Sequence, residues 1–257
     1  MPSDLPDCIV RPTGSTAEIR AVLQAAMLSD IPVHVGDPKC IHFAGLPGPL
    51  PVGSVEFVQA YMAAIGIQAP EPVSYPVALD QFLGRKIDLR ALHQVRGDVF
   101  IKPVSTKTFN GFVWRQGLRD AEQSEHDLEQ LEVIRQLDPN TLVWTSEPVR
   151  FQSEWRYYVV NGEIVHQARY DAGGLDDAPS PDLALVNEAI RTWTATSGSD
   201  CPRGYGIDFG VTDDGRTVLV EANDGWALGF YGNGMPARAY LQLLWLRWQQ
   251  ICDRSKG

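Results

Sequence analysis

The sequence predicts a mixed fold of helices and antiparallel strands, in the α/β or α+β class. Runs rich in β-branched and aromatic residues recur along the 257-residue chain and are typical of strands. Two pairs of these runs are joined at Asn161-Gly162 and at Asp214-Gly215, dipeptides that favour two-residue hairpin turns. Segments with helix-start signals lie between the strand-like runs. Together these observations predict antiparallel hairpins packed with helices.

Composition excludes several classes of protein. Hydrophobic residues make up 44% of the chain, which is enough for a substantial core, so disorder is not expected. The formal net charge of −10 disfavours non-specific binding to nucleic acid or to an anionic membrane. No apolar run approaches the roughly 18 residues that span a bilayer, and the start MPSDLPDCIV lacks the features of a signal peptide. We therefore expect a cytoplasmic protein without nucleic-acid or membrane partners.

The cysteines and histidines show no metal-binding motif. The four cysteines are scattered without a C-x-x-C pair, and the five histidines include no H-E-x-x-H. We therefore expect reduced thiols, and neither structural zinc nor a disulfide framework.

The first 80 residues predict a small α/β lobe. CIVRP and IPVHVG are strand-like, and GLPGPLPVG is predicted to be a loop. Ser15 and Glu18 have the spacing of a capping box at the start of a helix. The two predicted helices of the lobe are IRAVLQAAML and SVEFVQAYMAAIG.

Further elements are predicted along the rest of the chain. VFIKPVSTKTFNGFVW predicts two strands with a polar centre, and AEQSEHDLEQLEVIRQL predicts a surface helix with a solvated charged face. A further helix is predicted near PDLALVNEAIRTWTAT. The final helix is PARAYLQLLWLRWQQICDR, where Pro236 suits the first turn. Its Leu and Trp residues are expected in the core; the alternative is an oligomer interface, which would make the protein a homodimer.

The hairpin YGIDFGVTDDGRTVLVEAN is predicted to bring three oxygen-bearing side chains together. With a two-residue turn at Asp214-Gly215, Asp208 lies opposite Glu221, and Asn223 shares their face. A three-residue turn would shift this pairing by one. Like charges in opposite positions need protonation, a basic neighbour or a bound cation. Because Mg²⁺ held with phosphates needs few protein ligands, we predict a metal site at Asp208, Glu221 and Asn223; the alternative is a carboxyl pair at a solvated sheet edge.

The hairpin FQSEWRYYVVNGEIVHQARY is predicted to have one polar and one apolar face. Counting outwards from Asn161-Gly162 places Arg156 opposite Gln167 and Glu154 opposite Arg169. The predicted apolar face contains Trp155, Tyr157, Val159, Ile164 and Ala168, with His166 packed among them. The polar face is consistent with surface salt bridges of little energetic value. It is equally consistent with the wall of a cleft, in which Arg156 and Arg169 bind phosphate or carboxylate.

Two lysines follow the apolar run VFI. Lys102 emerges from a buried strand and therefore needs an anionic partner. Lys107 lies in the polar turn VSTKTFNG, whose backbone N–H groups are suited to phosphate. The turn is not a Walker A loop, and the sequence contains no G-x-G-x-x-G.

Together and in this order, these segments resemble the ATP-grasp superfamily of ATP-dependent carboxylate–amine ligases, over about residues 95 to 230. VFIKP is similar to the family's strand with the phosphate-binding lysine, here Lys102, and STKTFNG resembles its mobile loop, with Lys107. VWTSEPV resembles the strand between the lobes that contacts adenine, which places Glu147 and Val149 at the hinge.

The two hairpins also resemble the family. SEWRYYVVNGEIV is similar to its E-x-R-x-x-V strand, which gives Glu154 and Arg156. GIDFGV and LVEAND resemble its metal-binding strands, with Asp208, Glu221 and Asn223. The resemblance is closest to a small bacterial and phage branch of the superfamily.

The resemblance implies an ATP-grasp fold with a nucleotide cleft between two antiparallel-sheet lobes, residues 81–148 and 149–257. A reduced N-terminal α/β lobe, residues 1–80, precedes this 81–257 domain. ATP and Mg²⁺ are the implied cofactors. The implied nucleotide-binding residues are Lys102, Lys107, Glu147, Val149, Glu154 and Arg156, and Arg156 and Lys107 are the implied catalytic residues.

The implied reaction joins a carboxylate to an amine. The substrate carboxylate attacks the γ-phosphate to give an acyl phosphate, and the amine then displaces phosphate, with Lys102, Arg156 and Mg²⁺ offsetting the developing charge. An amino acid or peptide is the expected substrate, and Trp226 and the loop GFYGNG are expected to border the acceptor site. The alternatives are a phosphotransferase and a non-catalytic nucleotide-binding protein.

Overall fold

The fold consists of three β-sheets and five α-helices in the residues that the computed structural model describes, namely 4–37, 46, 48–105, 108–117, 122, 124–171, 177–231 and 234–255. The strands are β1 (Cys8–Arg11), β2 (Val33–Val35), β3 (Pro49–Pro51), β4 (Asp88–Ala91), β5 (Val99–Pro103), β6 (Phe112–Trp114), β7 (Leu142–Ser146), β8 (Phe151–Val160), β9 (Glu163–Arg169), β10 (Gly204–Thr212) and β11 (Thr217–Asp224). The helices are α1 (Ala17–Leu28), α2 (Val55–Ala64), α3 (Glu125–Arg135), α4 (Leu183–Ser197) and α5 (Ala237–Arg254). Of these helices, none combines the length and the apolar character needed to cross a bilayer.

The sheets differ in strand direction. The N-terminal sheet is parallel, with the order β2-β1-β3. The middle sheet has the order β4-β7-β5-β6, and the C-terminal sheet the order β11-β10-β8-β9; both are antiparallel. The predicted mixture of helices with antiparallel sheets is thus confirmed.

One strand of the N-terminal sheet lies where the sequence predicted a loop. Pro49–Pro51 forms β3 and pairs with β1. β3 is an edge strand, so the N–H groups that its prolines lack are not needed for a second neighbour. β4 is a further strand that the sequence analysis did not identify.

The first helix begins one residue later than predicted. The Thr16 hydroxyl accepts a hydrogen bond from the Ile19 backbone N–H at 3.3 Å, so Thr16 rather than Ser15 caps α1. The Glu18 carboxylate, which was predicted to complete a capping box, accepts instead from the Phe230 backbone N–H at 3.0 Å. This contact ties α1 to the loop after β11.

The β8–β9 hairpin turns where predicted but pairs differently further out. Asn161 and Gly162 have φ values of 48° and 83°, and the residues that flank them are paired. Beyond them, a β-bulge between Tyr158 and Val159 shifts the register by one residue. The predicted pairing of the outer half of the hairpin is therefore wrong.

The bulge changes which side chains share a face. Arg156 lies opposite Ala168 instead of Gln167, and Arg169 lies opposite Trp155 instead of Glu154. His166 lies opposite Tyr158, with the ring centroids 5.8 Å apart, and so shares the face of Arg156. Both faces of β8 pack into cores, and its polar side chains are confined to the half before the bulge.

The β10–β11 hairpin confirms the predicted pairing of Asp208 with Glu221 but not the predicted turn. The Thr212 N–H donates to the Arg216 carbonyl at 2.9 Å, so residues 213–215 form a three-residue turn and shift the register by one. A β-bulge directly after Asp208 shifts it back. The two shifts cancel, and the acidic pair is restored.

Three clusters form the core. The first packs the N-terminal sheet, α1 and α2 against α5 and one face of the C-terminal sheet. The second covers the other face of that sheet with α4, and the third joins the middle sheet to α3. The predicted core residues of α5 are buried: Leu241, Leu243, Leu244, Trp245, Leu246 and Trp248. The first cluster therefore unites both ends of the chain, while the domain boundaries at residues 80 and 148 remain predictions.

Candidate active site

A network of charged side chains joins the middle sheet to the C-terminal sheet. The Lys102 ammonium on β5 forms an ion pair with the Glu221 carboxylate on β11. It also donates to the Ser74 hydroxyl at 3.3 Å. Lys102 and Glu221 are about a fifth exposed, with side-chain exposures of 21% and 20%. The predicted anionic partner of Lys102 is thus one of the predicted metal ligands.

Asp208 is the buried centre of this network. Its carboxylate is fully buried, and the Arg156 guanidinium binds it in a bidentate pair, with Nε–Oδ1 at 2.8 Å and Nη2–Oδ2 at 2.6 Å. The Asn223 amide donates to Asp208 at 3.0 Å and to Glu221 at 3.1 Å. Basic neighbours and a bridging amide therefore offset the charges of the facing carboxylates. Arg156 pairs with Asp208 and not with the cross-strand partners that the sequence predicted.

The surroundings of Lys102 favour its neutral form. Burial, together with the charges of Arg156 and Arg85, lowers the pKa of Lys102 to about 8, although the charge of Asp208 acts in the opposite direction. A phosphate group brought close to the ammonium would raise this pKa again, because it adds negative charge. This lysine is therefore suited to a polyanionic ligand.

Two tyrosines cover the Arg156 guanidinium. Its central carbon lies 4.9 Å from the Tyr231 ring centroid and 5.6 Å from that of Tyr170, distances typical of cation–π contacts. The two rings stack on each other at 5.6 Å. The Tyr158 hydroxyl holds the loop after β11 in place: it donates to the Gly229 carbonyl at 2.9 Å and accepts from the Tyr231 N–H at 2.7 Å.

Glu154 lies beside this aromatic pair. Its carboxylate accepts a hydrogen bond from the Tyr170 hydroxyl at 3.0 Å. Burial raises the pKa of Glu154 above its usual range, and the nearby charges of Asp208 and Asp171 add to the effect. Asp171 differs, because its ion pair with Arg169 lowers its pKa to about 2.

The other predicted residues lie apart from the network. Glu147 is exposed and Val149 is half-buried in the segment that connects β7 of the middle sheet to β8 of the C-terminal sheet. This position between the sheets agrees with the predicted hinge, and their contact with adenine remains a prediction. Lys107 lies outside the described residues, as do positions 232 and 233 of the GFYGNG loop. Trp226 is buried in the first core cluster.

Sequence reasoning missed Arg85 and Tyr75. Arg85 donates to the carbonyls of Leu219 and Val220 at 2.8 and 3.0 Å, next to the bulge of β11. The Lys102 nitrogen lies 5.5 Å from the Tyr75 ring centroid. Both residues precede the middle sheet in the chain, and only the tertiary fold brings them to the site. Tyr170 and Tyr231 were missed for the same reason.

The residues present fit a magnesium ion. Asp208, Glu221 and Asn223 offer two carboxylates and an amide oxygen on one face, which suits a hard cation that also binds phosphate. Across the described parts of the chain, no group of three or more His, Cys, Asp or Glu side chains could hold a metal. The donor set therefore favours a cation shared with a ligand over one enclosed by protein alone.

The profile of one protein family matches residues 82–243, and its description is an ATP-grasp domain, the second family of its clade. The chain belongs to this ATP-grasp family. No curated protein sequence matches it.

Solved structures show the same fold as this ATP-grasp chain. D-cycloserine synthetase DcsG has a TM-score of 0.58 at 14% identity, over 93% of this chain and 99% of that chain. D-alanine–D-alanine ligase from Bacillus anthracis, complexed with ATP, has a TM-score of 0.54 at 12% identity, over 97% and 99%. The macrocyclase MdnC from Microcystis aeruginosa, bound to its precursor peptide MdnA, has a TM-score of 0.52 at 13% identity, over 92% and 99%. The ATP-grasp fold expected from the sequence is thus confirmed.

Proposed function

We propose that this ATP-grasp protein is an ATP- and Mg²⁺-dependent ligase that joins a carboxylate to an amine through an acyl phosphate. The observation that carries the proposal is the network of Lys102, Glu221, Asn223, Asp208 and Arg156 between two facing sheets. It combines cations for phosphate with oxygen donors for a metal in one half-buried site. Membership of the ATP-grasp family supports the use of ATP.

The side chains divide into two groups by position. Lys102 holds ATP phosphate, and Glu147 and Val149 border adenine at the connection between the sheets. Asp208, Glu221 and Asn223 hold Mg²⁺, which supplies charge neutralisation on the phosphate oxygens when bound. Arg156 lies at the far side of Asp208, where its planar fork is suited to the phosphate being transferred. Lys107, by resemblance, closes over the phosphates.

The substrate class follows from the relatives and from the site. The similar structures include ligases of single amino acids and a macrocyclase bound to a peptide. An amino-acid or peptide substrate is therefore the best-supported class. A cytoplasmic location and a homodimer belong to the same proposal.

Phosphate release tests the reaction. The protein is incubated with Mg-ATP and a panel of amino acids and dipeptides, and products are identified by mass spectrometry. A ligase releases inorganic phosphate only when carboxylate and amine are both present, and it forms a condensed product. A phosphotransferase gives a stable phosphorylated product with a single acceptor, and a non-catalytic nucleotide-binding protein gives no turnover; either result would refute the proposal.

Lys102→Ala is expected to weaken ATP binding about 10- to 100-fold, the scale of one charge-assisted contact. Calorimetric titration with Mg-ATP measures the change. Lys86→Ala is the matched control, because Lys86 is 83% exposed and pairs only with Asp88 at the surface. Unchanged affinity in a folded Lys102→Ala variant would place the phosphates elsewhere.

A further inference from the structure

One carboxylate beside Arg156 has no cationic partner. Asp208 pairs with Arg156, Asp171 with Arg169 and Glu221 with Lys102. Glu154, two residues before Arg156 on β8, makes no ion pair with any residue in the described ranges. Its hydrogen-bond donor is the neutral Tyr170 hydroxyl. A half-buried carboxylate without a counter-charge is costly, so its presence at a reaction site calls for a function.

The position of Glu154 is beside the transfer site rather than within the metal site. The Tyr170 ring contacts the Arg156 guanidinium, and its hydroxyl binds Glu154, so one side chain connects the two. Tyr231 stacks on Tyr170 and is 41% exposed, which leaves this side of the aromatic pair open to solvent. A substrate that enters here meets a carboxylate and two aromatic rings, groups that attract an ammonium ion.

We propose that Glu154 is the general base that deprotonates the amine substrate, an inference that rests on the proposed ligase function. The incoming ammonium gives one proton to the Glu154 carboxylate and becomes a neutral amine. Its nitrogen lone pair then forms the C–N bond at the acyl carbon. The C–O bond to phosphate breaks with its electron pair on the departing phosphate, which takes the second N–H proton.

The neighbouring groups are less suited to this step. Asp171 is held ionised by Arg169, which leaves its carboxylate weakly basic. Asp208 is engaged at both oxygens by Arg156. The groups that face Glu154 are the acids Asp208 and Asp171, the Tyr170 hydroxyl and Arg85, and their combined effect with burial is a raised pKa for Glu154. A base with a raised pKa lies closer to the working pH, where proton transfer is most efficient.

The test compares two nucleophiles in wild-type protein and in Glu154→Gln, which keeps the side-chain shape. With the carboxylate and amine identified by phosphate release, Glu154→Gln is expected to form the amide about 10²- to 10⁴-fold more slowly. Hydroxylamine is largely unprotonated at neutral pH and needs no base, so hydroxamate formation from the same carboxylate and Mg-ATP should be retained. Glu163→Gln, an exposed residue at the hairpin turn, is the matched control and should match wild type with both nucleophiles.

A pH profile adds a second measurement. The Tyr170 hydrogen bond lowers the pKa of Glu154, so Tyr170→Phe should raise that pKa further. Because the base must be ionised, the acidic limb of amide formation should move to higher pH, while hydroxamate formation keeps its profile.

Three outcomes would overturn the inference. Equal losses with amine and hydroxylamine would show that Glu154 acts before acyl transfer, and wild-type amide formation by Glu154→Gln would show that it is not the base. If wild-type protein forms neither amide nor hydroxamate with any pair, the ligase proposal itself fails, and the assignment of Glu154 fails with it.

Discussion

Asp208→Asn is expected to lower the free energy of unfolding by about 3–5 kcal/mol, the usual cost of breaking a buried ion pair from one side. Asp208 is fully buried and its partner Arg156 is 7% exposed, so the substitution leaves a guanidinium without a counter-charge in the interior. Urea unfolding at neutral pH measures the loss. Turnover should fall as well, because the same side chain is a proposed metal ligand.

Asp214→Asn is the matched control on the same hairpin. Asp214 pairs with Arg216 at 2.7 Å, but the two side chains are 55% and 59% exposed. Surface pairs of this kind contribute about 0–1 kcal/mol, so this variant should unfold nearly as wild type does. Equal losses in the two variants would mean that water or another anion reaches Arg156 and that the burial of the pair is not its source of stability.

The paired metal ligands were predictable because both hairpins carry strong local turn signals and alternate strand residues share a face. The prediction survived two errors that cancelled: a turn with one more residue at 213–215 and a bulge after Asp208. In the other hairpin a single bulge had no compensating shift, so the predicted partners of Arg156 were wrong. Bulges are set by packing on the two faces of a sheet, and alternation along one strand does not reveal them.

The residues that only tertiary structure brings to the site could not be predicted. Arg85 and Tyr75 come from the segment before the middle sheet, and their sequence surroundings resemble an ordinary connector. Tyr231 reaches Arg156 through a loop whose path depends on hydrogen bonds to Tyr158 and Glu18. Local patterns thus identified charged residues on strands, while the aromatic residues around them required the fold.

Glu221→Gln is expected to separate the metal role of this side chain from its structural role. Without ligand the variant should unfold within about 1 kcal/mol of wild type: Lys102 loses an ion-pair partner, but both groups are partly exposed, and repulsion from Asp208 is relieved. A ligand that binds only the folded state stabilises it by roughly 2.7 kcal/mol at a hundredfold excess over its dissociation constant. Wild-type protein should therefore melt clearly higher with Mg-ATP than with ATP and a chelator.

In Glu221→Gln most of the magnesium-dependent rise in melting temperature should disappear, together with nearly all turnover, because a neutral amide is a weaker ligand for Mg²⁺ than a carboxylate. Glu132→Gln is the control, since Glu132 also pairs with a cation, Arg135, but is 64% exposed on α3. It should keep the full Mg-ATP shift. A Glu221→Gln variant that is destabilised without ligand yet keeps the full shift would show that Glu221 serves mainly to hold Lys102 and Asn223. The metal would then depend on Asp208, and the facing carboxylates would not share it.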